Sequence, residues 1–159
     1  MKMSLEKVKE YLKKFNKESE ILEFELSSAT VELAAVAVGT EPSRIAKSLT
    51  FMVGGKPIMI VCAGDVKIDN SKYKGVFGEK AKMLTFEEVE NLVGHKVGGV
   101  CPFAIKSDVK VYLDESLKRF EKVYPACGSG NSAIGLTIGE LEEISQNFVE
   151  FIDVCKEIL

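Results

Sequence analysis

The stretch "KSLTFMV", residues 47–53, followed by Gly54 and Gly55 and then "KPIMIVCAG", residues 56–64, decides the fold. Paired glycines supply the positive φ angles of a two-residue turn, and the β-branched, apolar flanks have strand character, so the segment reads as a β-hairpin. The second arm is continuous in apolar residues and is expected to be buried on both faces. Lys47 stands at the head of the first arm, between Ile45 and Leu49, where a short turn opened by Pro42 is expected to hand over to the strand. A lysine there can cover apolar surface with its stem and keep its ammonium in water, or it can aim its charge into a pocket for an anionic ligand.

Upstream of the hairpin, Leu5, Val8, Leu12 and Phe15 fall three and four apart, an amphipathic helix for which Ser4 is the expected cap and Asn16 the expected end. "ILEFEL", residues 21–26, alternates apolar and acidic residues with the period of a half-exposed strand. "SSATVELAAVAVG", residues 27–39, reads as a second helix with Ser28 or Thr30 as cap and Gly39 as stop. Downstream, Thr85 with Glu88 and Thr137 with Glu140 have the spacing of capping boxes. "KVYLD", "EKVYPA", "SAIGLT" and "NFVEFIDV" read as further short strands. No linker, repeat or low-complexity tract interrupts the order, so an α+β single domain over residues 1–159 is expected, with a mixed sheet and helices packed outside it.

Composition excludes several classes of function. The chain has 159 residues, 46% hydrophobic and 28% charged, with a net charge of −3. That is the balance of a globular protein, and it argues against a uniformly basic coat for nucleic acid. "MKMSLEKVKEYLKKF" has no apolar core of secretory type, and a cytoplasmic, non-membrane protein is expected. Cys62, Cys101, Cys127 and Cys155 are scattered without a C-x-x-C pair and His95 is the single histidine, so free packing thiols are expected rather than a metal site.

Two glycine loops could carry chemistry. "VGGVCPFA", residues 97–104, frees the backbone at Gly98 and Gly99 and fixes it again at Pro102, a pattern able to aim N–H groups at a carbonyl oxygen, although a plain tight turn also accounts for it. "ACGSGNSA", residues 126–133, surrounds Ser129 and Asn131 with small residues and likewise suits a simple turn.

Taken together, "SSATVELAAVAVGTEPSRIAKSLTF", "GDVKID", "VGGVCPFA" and "CGSGNSAIGLTIGELEE" resemble, in order and separation, the YbaK and prolyl-tRNA synthetase editing-domain superfamily. The resemblance implies a largely antiparallel, barrel-like twisted sheet surrounded by helices. It also implies a freestanding, ProX-like trans-editing deacylase that hydrolyses the ester of a mischarged tRNA without metal or other cofactor, on cysteine- or alanine-charged proline tRNA. Prolyl-tRNA synthetase is the implied possible partner. Lys47 matches the family's functional lysine, and Gly98, Gly99, Val100, Cys101 and Pro102 match its G-x-x-x-P loop, whose backbone would bind the aminoacyl carbonyl. Thr30, Phe103, Ser129 and Asn131 are the expected substrate-binding residues, Thr30 first of all as a helix cap; the alanine-specific branch tends to carry a histidine where this chain has "CGSG".

Two rival readings stand beside it. One is a cysteine hydrolase with Cys101 as nucleophile and His95 as base. The other is a catalytically silent tRNA- or synthetase-binding module, in which Lys67, Lys72 and Lys74, with Lys80 and Lys82, follow a phosphate backbone; a solvated face is the plainer meaning of that stretch.

Overall fold

The structure is a computed structural model that describes residues 4–158. In chain order its elements are α1 (Ser4–Lys13), β1 (Leu22–Glu23), α2 (Val31–Val38), β2 (Ile45–Val53), β3 (Lys56–Ala63), β4 (Val66–Ile68), α3 (Asn70–Phe77), α4 (Phe86–Glu88), β5 (Lys110–Asp114), β6 (Lys122–Pro125), β7 (Ser132–Ala133), β8 (Leu136–Thr137), α5 (Ile138–Ile144), β9 (Phe148–Ile152) and β10 (Cys155–Glu157). A curled sheet in the order β8-β6-β2-β3-β5-β9 forms the body, and two small antiparallel pairs, β1 with β7 and β4 with β10, sit apart from it. The fold is therefore α+β with a mixed sheet, as expected, but the strands divide among three sheets rather than sharing one. Antiparallel pairing centres on β2–β3 and closes the β6–β8 edge, whereas β2–β6, β3–β5 and β5–β9 are parallel.

The hairpin forms as its sequence dictates. Gly54 and Gly55 take φ of +57° and +79°, and Val53 pairs with Lys56 across the turn. Met59 to Ala63 of β3 are wholly buried, which makes this strand the spine of the core. Phe51 of β2 packs on Tyr73 of α3, and Tyr73 on Phe77, with ring centroids 5.2 and 4.7 Å apart. Both capping boxes close in the expected reciprocal manner, Thr85 with Glu88 and Thr137 with Glu140. Thr30 caps α2 by accepting from the Leu33 amide, and Gly39 ends that helix at φ +81°. No helix among the described residues is long and apolar enough to cross a membrane.

Three local expectations are corrected. Ser4 lies inside α1, and its hydroxyl donates to the Gly94 carbonyl instead of capping. Only Leu22 and Glu23 of "ILEFEL" pair as a strand, because β7 offers just two residues to pair with. Lys47 is the third residue of β2, further into the strand than the expected place at its head; the turn before it, Pro42–Arg44, ends directly before the strand's first residue, Ile45.

Two ion pairs tie distant parts of the chain. Arg119 grips the Asp65 carboxylate through two hydrogen bonds of 3.0 and 2.6 Å, and Lys17 reaches Glu140 at 2.5 Å. The Arg119 hydrogen bonds hold the Asp65 pKa below the usual carboxylate range, and the Lys17 hydrogen bond does the same for Glu140. A folded-state pKa below the unfolded one gives stability that is present above about pH 4 and is lost as pH falls through the folded values. Denaturation midpoints should therefore hold steady from neutrality to about pH 5 and fall below about pH 4. Asp65→Asn combined with Glu140→Gln should flatten that acid limb, and equal slopes in the variant and the parent would show that these two pairs do not cause it.

Candidate functional site

A cavity of about 250 Å³ opens beside the edge of β2. That edge is incompletely paired. β6 covers Ile45 and Ala46, and the segment at 82–84 covers the other end, where the Met52 amide donates to the Lys82 carbonyl and the Leu84 amide to the Thr50 carbonyl. Backbone groups alternate between the two edges of a strand, so the N–H and C=O of Ser48 point outward into the interval between those partners. Consecutive residues from Ile45 to Thr50 line the cavity because it wraps this open stretch.

Lys47 lines the cavity, and its ammonium is seated on the β3–β4 turn, donating to the carbonyl of Val66 and, at 3.5 Å, to that of Gly64. An ammonium has three donors, so one remains after these two. Among the described residues it is the single charged side chain in the lining, with no aspartate or glutamate there. Thr30 also lines the cavity while its hydroxyl caps α2, so the capping role and the site coincide.

The two glycine loops, separate in sequence, pack backbone to backbone. A Cβ on Gly99 would fall 2.6 Å from the carbonyl carbon of Gly128 and 2.7 Å from the amide of Ser129. Gly98, at φ +100°, faces the Ala29 methyl group, and the Ser28 amide donates to the Gly130 carbonyl at 2.7 Å. The two glycine loops and the loop before α2 thus meet around one site, and the two glycine loops touch backbone to backbone.

Not every expected residue reaches the cavity. Gly98 and Val100 line it, but Gly99, Cys101, Pro102 and Phe103 do not, and the Gly99 amide is taken by the Lys96 carbonyl at 3.0 Å. Cys101 is 0% exposed and turns into the core, where its sulfur lies 3.6 Å from His95 Nε2 and 3.7 Å from the Phe103 carbonyl. Burial pushes the thiol up to about 12 and lowers the His95 pKa. A buried neutral thiol beside a buried neutral imidazole has no access to the cavity, which removes the cysteine-hydrolase geometry. Phe103 is likewise fully buried, against Tyr11, and serves the core.

Ser129 and Asn131 stand one layer behind the lining. Ser129 shares a 2.6 Å hydrogen bond with Ser132, which does line the cavity, and Asn131 clips the Phe24 carbonyl at 2.9 Å. The three lysines expected to meet tRNA are exposed and outside the cavity, and Lys72 is held by Asp153 and the Cys155 carbonyl, both at 3.0 Å. Residues that sequence reasoning passed over are Ser28, Ser48 and the apolar rim of Met83, Phe86 and Val97, of which Phe86 is 76% exposed. The exposed apolar side chain at the first position of α4, directly after its capping threonine, was the available signal for Phe86. Among the described residues no group of three or more metal-ligating side chains comes together.

Gly99→Ala should force the two loops apart and cost about 1–3 kcal/mol of stability, the usual range for overpacking a close contact, read by chemical denaturation. Cys101 should resist alkylation in the folded protein and react only on unfolding, and Cys101→Ser should keep the site's function; rapid labelling of Cys101 under native conditions would contradict the burial described above.

The aminoacyl-tRNA editing domain family model matches residues 26–144. YwhH of Bacillus subtilis, a protein of uncharacterised role, is 55% identical over 156 residues, 98% of this chain and 99% of its own. Proline–tRNA ligase of Aquifex aeolicus is 29% identical over 80% of this chain, which spans 22% of that enzyme's length. A crystal structure described as that of a candidate trans-editing enzyme for prolyl-tRNA synthetase superposes with a TM-score of 0.84 at 27% identity, covering 98% of this chain and 99% of the other. The match extends over the α2 helix, the Lys47 strand and both glycine loops that build the cavity, and the chain belongs to the aminoacyl-tRNA editing domain family.

Proposed function

We propose that the protein is a trans-editing deacylase that hydrolyses the ester of a mischarged aminoacyl-tRNA, with cysteine- or alanine-charged proline tRNA as substrate. The observation that carries this reading is the cavity itself: one seated cation, Lys47, in an otherwise uncharged lining built where the family's motifs converge. The similarity to a protein described as a candidate trans-editing enzyme for prolyl-tRNA synthetase supports the choice of tRNA.

In this mechanism the free donor of the Lys47 ammonium takes an oxygen at the tRNA's 3′ end and sets the ester in place. The backbone amides of Gly98 and Val100, the two residues of that loop that line the cavity, meet the carbonyl oxygen as it gains charge. Water, oriented by the vicinal ribose hydroxyl, adds to the carbonyl carbon. The tetrahedral intermediate then expels the ribose 3′ oxygen, which leaves with a proton from the attacking water, and the free amino acid departs. An aminoacyl ester is activated enough that no protein nucleophile and no metal is required. The exposed Lys67 and Lys74 are available to the tRNA backbone.

Incubation of the protein with alanine- and cysteine-charged proline tRNA, beside correctly charged controls, tests this. The expected result is selective loss of one mischarged ester, unchanged by a chelator, with kcat/KM falling about 100-fold or more in Lys47→Ala, the scale of losing one transition-state donor. Binding of tRNA by folded protein without turnover of either ester would replace the deacylase with a silent binding module.

A further inference from the structure

The rim of the cavity is apolar and open to solvent. Met83, Phe86 and Val97 line it and are 60%, 76% and 47% exposed. Phe86 is the aromatic member, and its place in the chain is fixed from both sides. Before it, the Leu84 amide donates to the Thr50 carbonyl and Met83 bridges to Phe51 of β2. Around it, the capping box of Thr85 with Glu88 sets the first turn of α4. Leu84 and Val89 bury themselves in the core from this segment, at 7% and 3% exposure, so the fold is served without the Phe86 ring. An aromatic ring left in water at an anchored position, beside a cavity and flanked by two more exposed apolar side chains, is a contact surface for something that enters there.

We infer that Phe86 stacks on the 3′-terminal adenine of the tRNA. This rests on the deacylase reading above and deepens it, because it assigns the subsite for the base nearest the ester. The buried part of the lining includes Ala34, Ala46 and Ala133, a set of small side chains that suits a small amino acid. In an aminoacyl-tRNA the ribose and then its base follow the amino acid outward, so the base is the part of the substrate that reaches the rim. The spacing along β2 agrees. Lys47 and Thr50, to which the 82–84 segment is bonded, are three residues apart, about 10 Å along a strand, a span that an ester, its ribose and the base can bridge. A purine presents a flat face that an aromatic ring can cover without hydrogen bonds, and such a contact tolerates any base. Reading of sequence is not needed at this position, because every tRNA ends in the same nucleotide. Phe86 is thereby a binding residue that holds the nucleoside while the chemistry proceeds deeper in the cavity.

The test uses an ester mimic that cannot be hydrolysed, 3′-(alanylamino)-3′-deoxyadenosine, and its counterpart with hydrogen in place of the base, with binding followed by NMR titration. The parent protein should bind the adenosine ligand about tenfold more tightly, the scale of one base stacked on an aromatic side chain. Phe86→Ala should remove that difference and leave the affinity for the base-free ligand unchanged, with a level thermal midpoint because the ring is exposed. On mischarged tRNA the same variant should raise KM about tenfold at unchanged kcat, as loss of a contact made equally in ground and transition states does. The chain contains no tryptophan, so Phe86→Trp supplies a single fluorescent reporter. That variant should keep the parent's affinity, and its emission should be quenched by the adenosine ligand and not by the base-free one. Equal affinities of the parent for the two ligands, equal weakening of both in Phe86→Ala, or binding by Phe86→Trp without quenching would overturn the assignment. Affinities left intact by Phe86→Ala would give the ring to a protein partner and overturn it as well. Failure of the parent both to bind either ligand and to turn over any mischarged tRNA would remove the deacylase reading, and this assignment with it.

Discussion

The site depends on a strand that is paired along its whole length on one side and only at its two ends on the other. β3 covers β2 from Ala46 to Val53, and its own burial places that seam within the core. On the outer side, β6 and the 82–84 segment leave an interval at Ser48. An open sheet edge is ordinarily a liability that a protein covers or charges. Here the loop before α2 and the 97–100 loop arch over it without pairing to it, so the exposed backbone becomes the floor of a cavity instead of a docking edge for another strand.

The electrostatics of that cavity are set from behind. Lys47 would be costly in an uncharged lining without partners, and the carbonyls of Gly64 and Val66 supply them. Those carbonyls belong to the turn that also carries Asp65, whose carboxylate Arg119 holds in a two-pronged grip. The attraction of Lys47 adds to the lowering of the Asp65 pKa, after the larger effect of Arg119. The counter-charge to the lysine is thus kept outside the lining, on the far side of the turn. A cation compensated in this way leaves the lining without a carboxylate among the described residues.

Local features were legible in the sequence and relations between distant ones were not. The hairpin, the two capping boxes, Thr30 and Gly39 each depend on residues within a few positions, and each formed as its spacing implied. The resemblance in motif order pointed to the region of the site, because the stretches that carry it are those that converge. What spacing could not supply was direction. Within 98–103 the chain passes from the cavity into the core, so Gly98 and Val100 line the site while Cys101 and Phe103 pack behind it. Ser28 and Ser48 were invisible for a related reason: an unpaired hydroxyl is defined by what fails to surround it, and only the folded neighbourhood shows that. The helix α3 was likewise not apparent, since Gly75 and its lysines hide a periodicity that the Asp69 cap and the Tyr73 contact with Phe51 establish in the structure.

The same backbone contact that joins the loops also limits what the cavity can admit. Gly99 and Gly128 meet with no room for a methyl group, which fixes how closely the two loops beside the cavity pack. Ala29, Ala34, Ala46, Ala126 and Ala133 then line the space with the smallest side chains that still exclude water from the walls. A synthetase site rejects amino acids that are too large far better than those that are too small, so a second site must accept small ones and exclude the cognate larger one. A cavity lined by small side chains and, along one side, by a β-strand edge suits that task in the proposed deacylase, because a strand edge cannot move aside as a flexible side chain would. In the proposed deacylase, selection by size then follows from the strand edge and the small side chains beside it, and Lys47 supplies the one charge of the lining among the described residues.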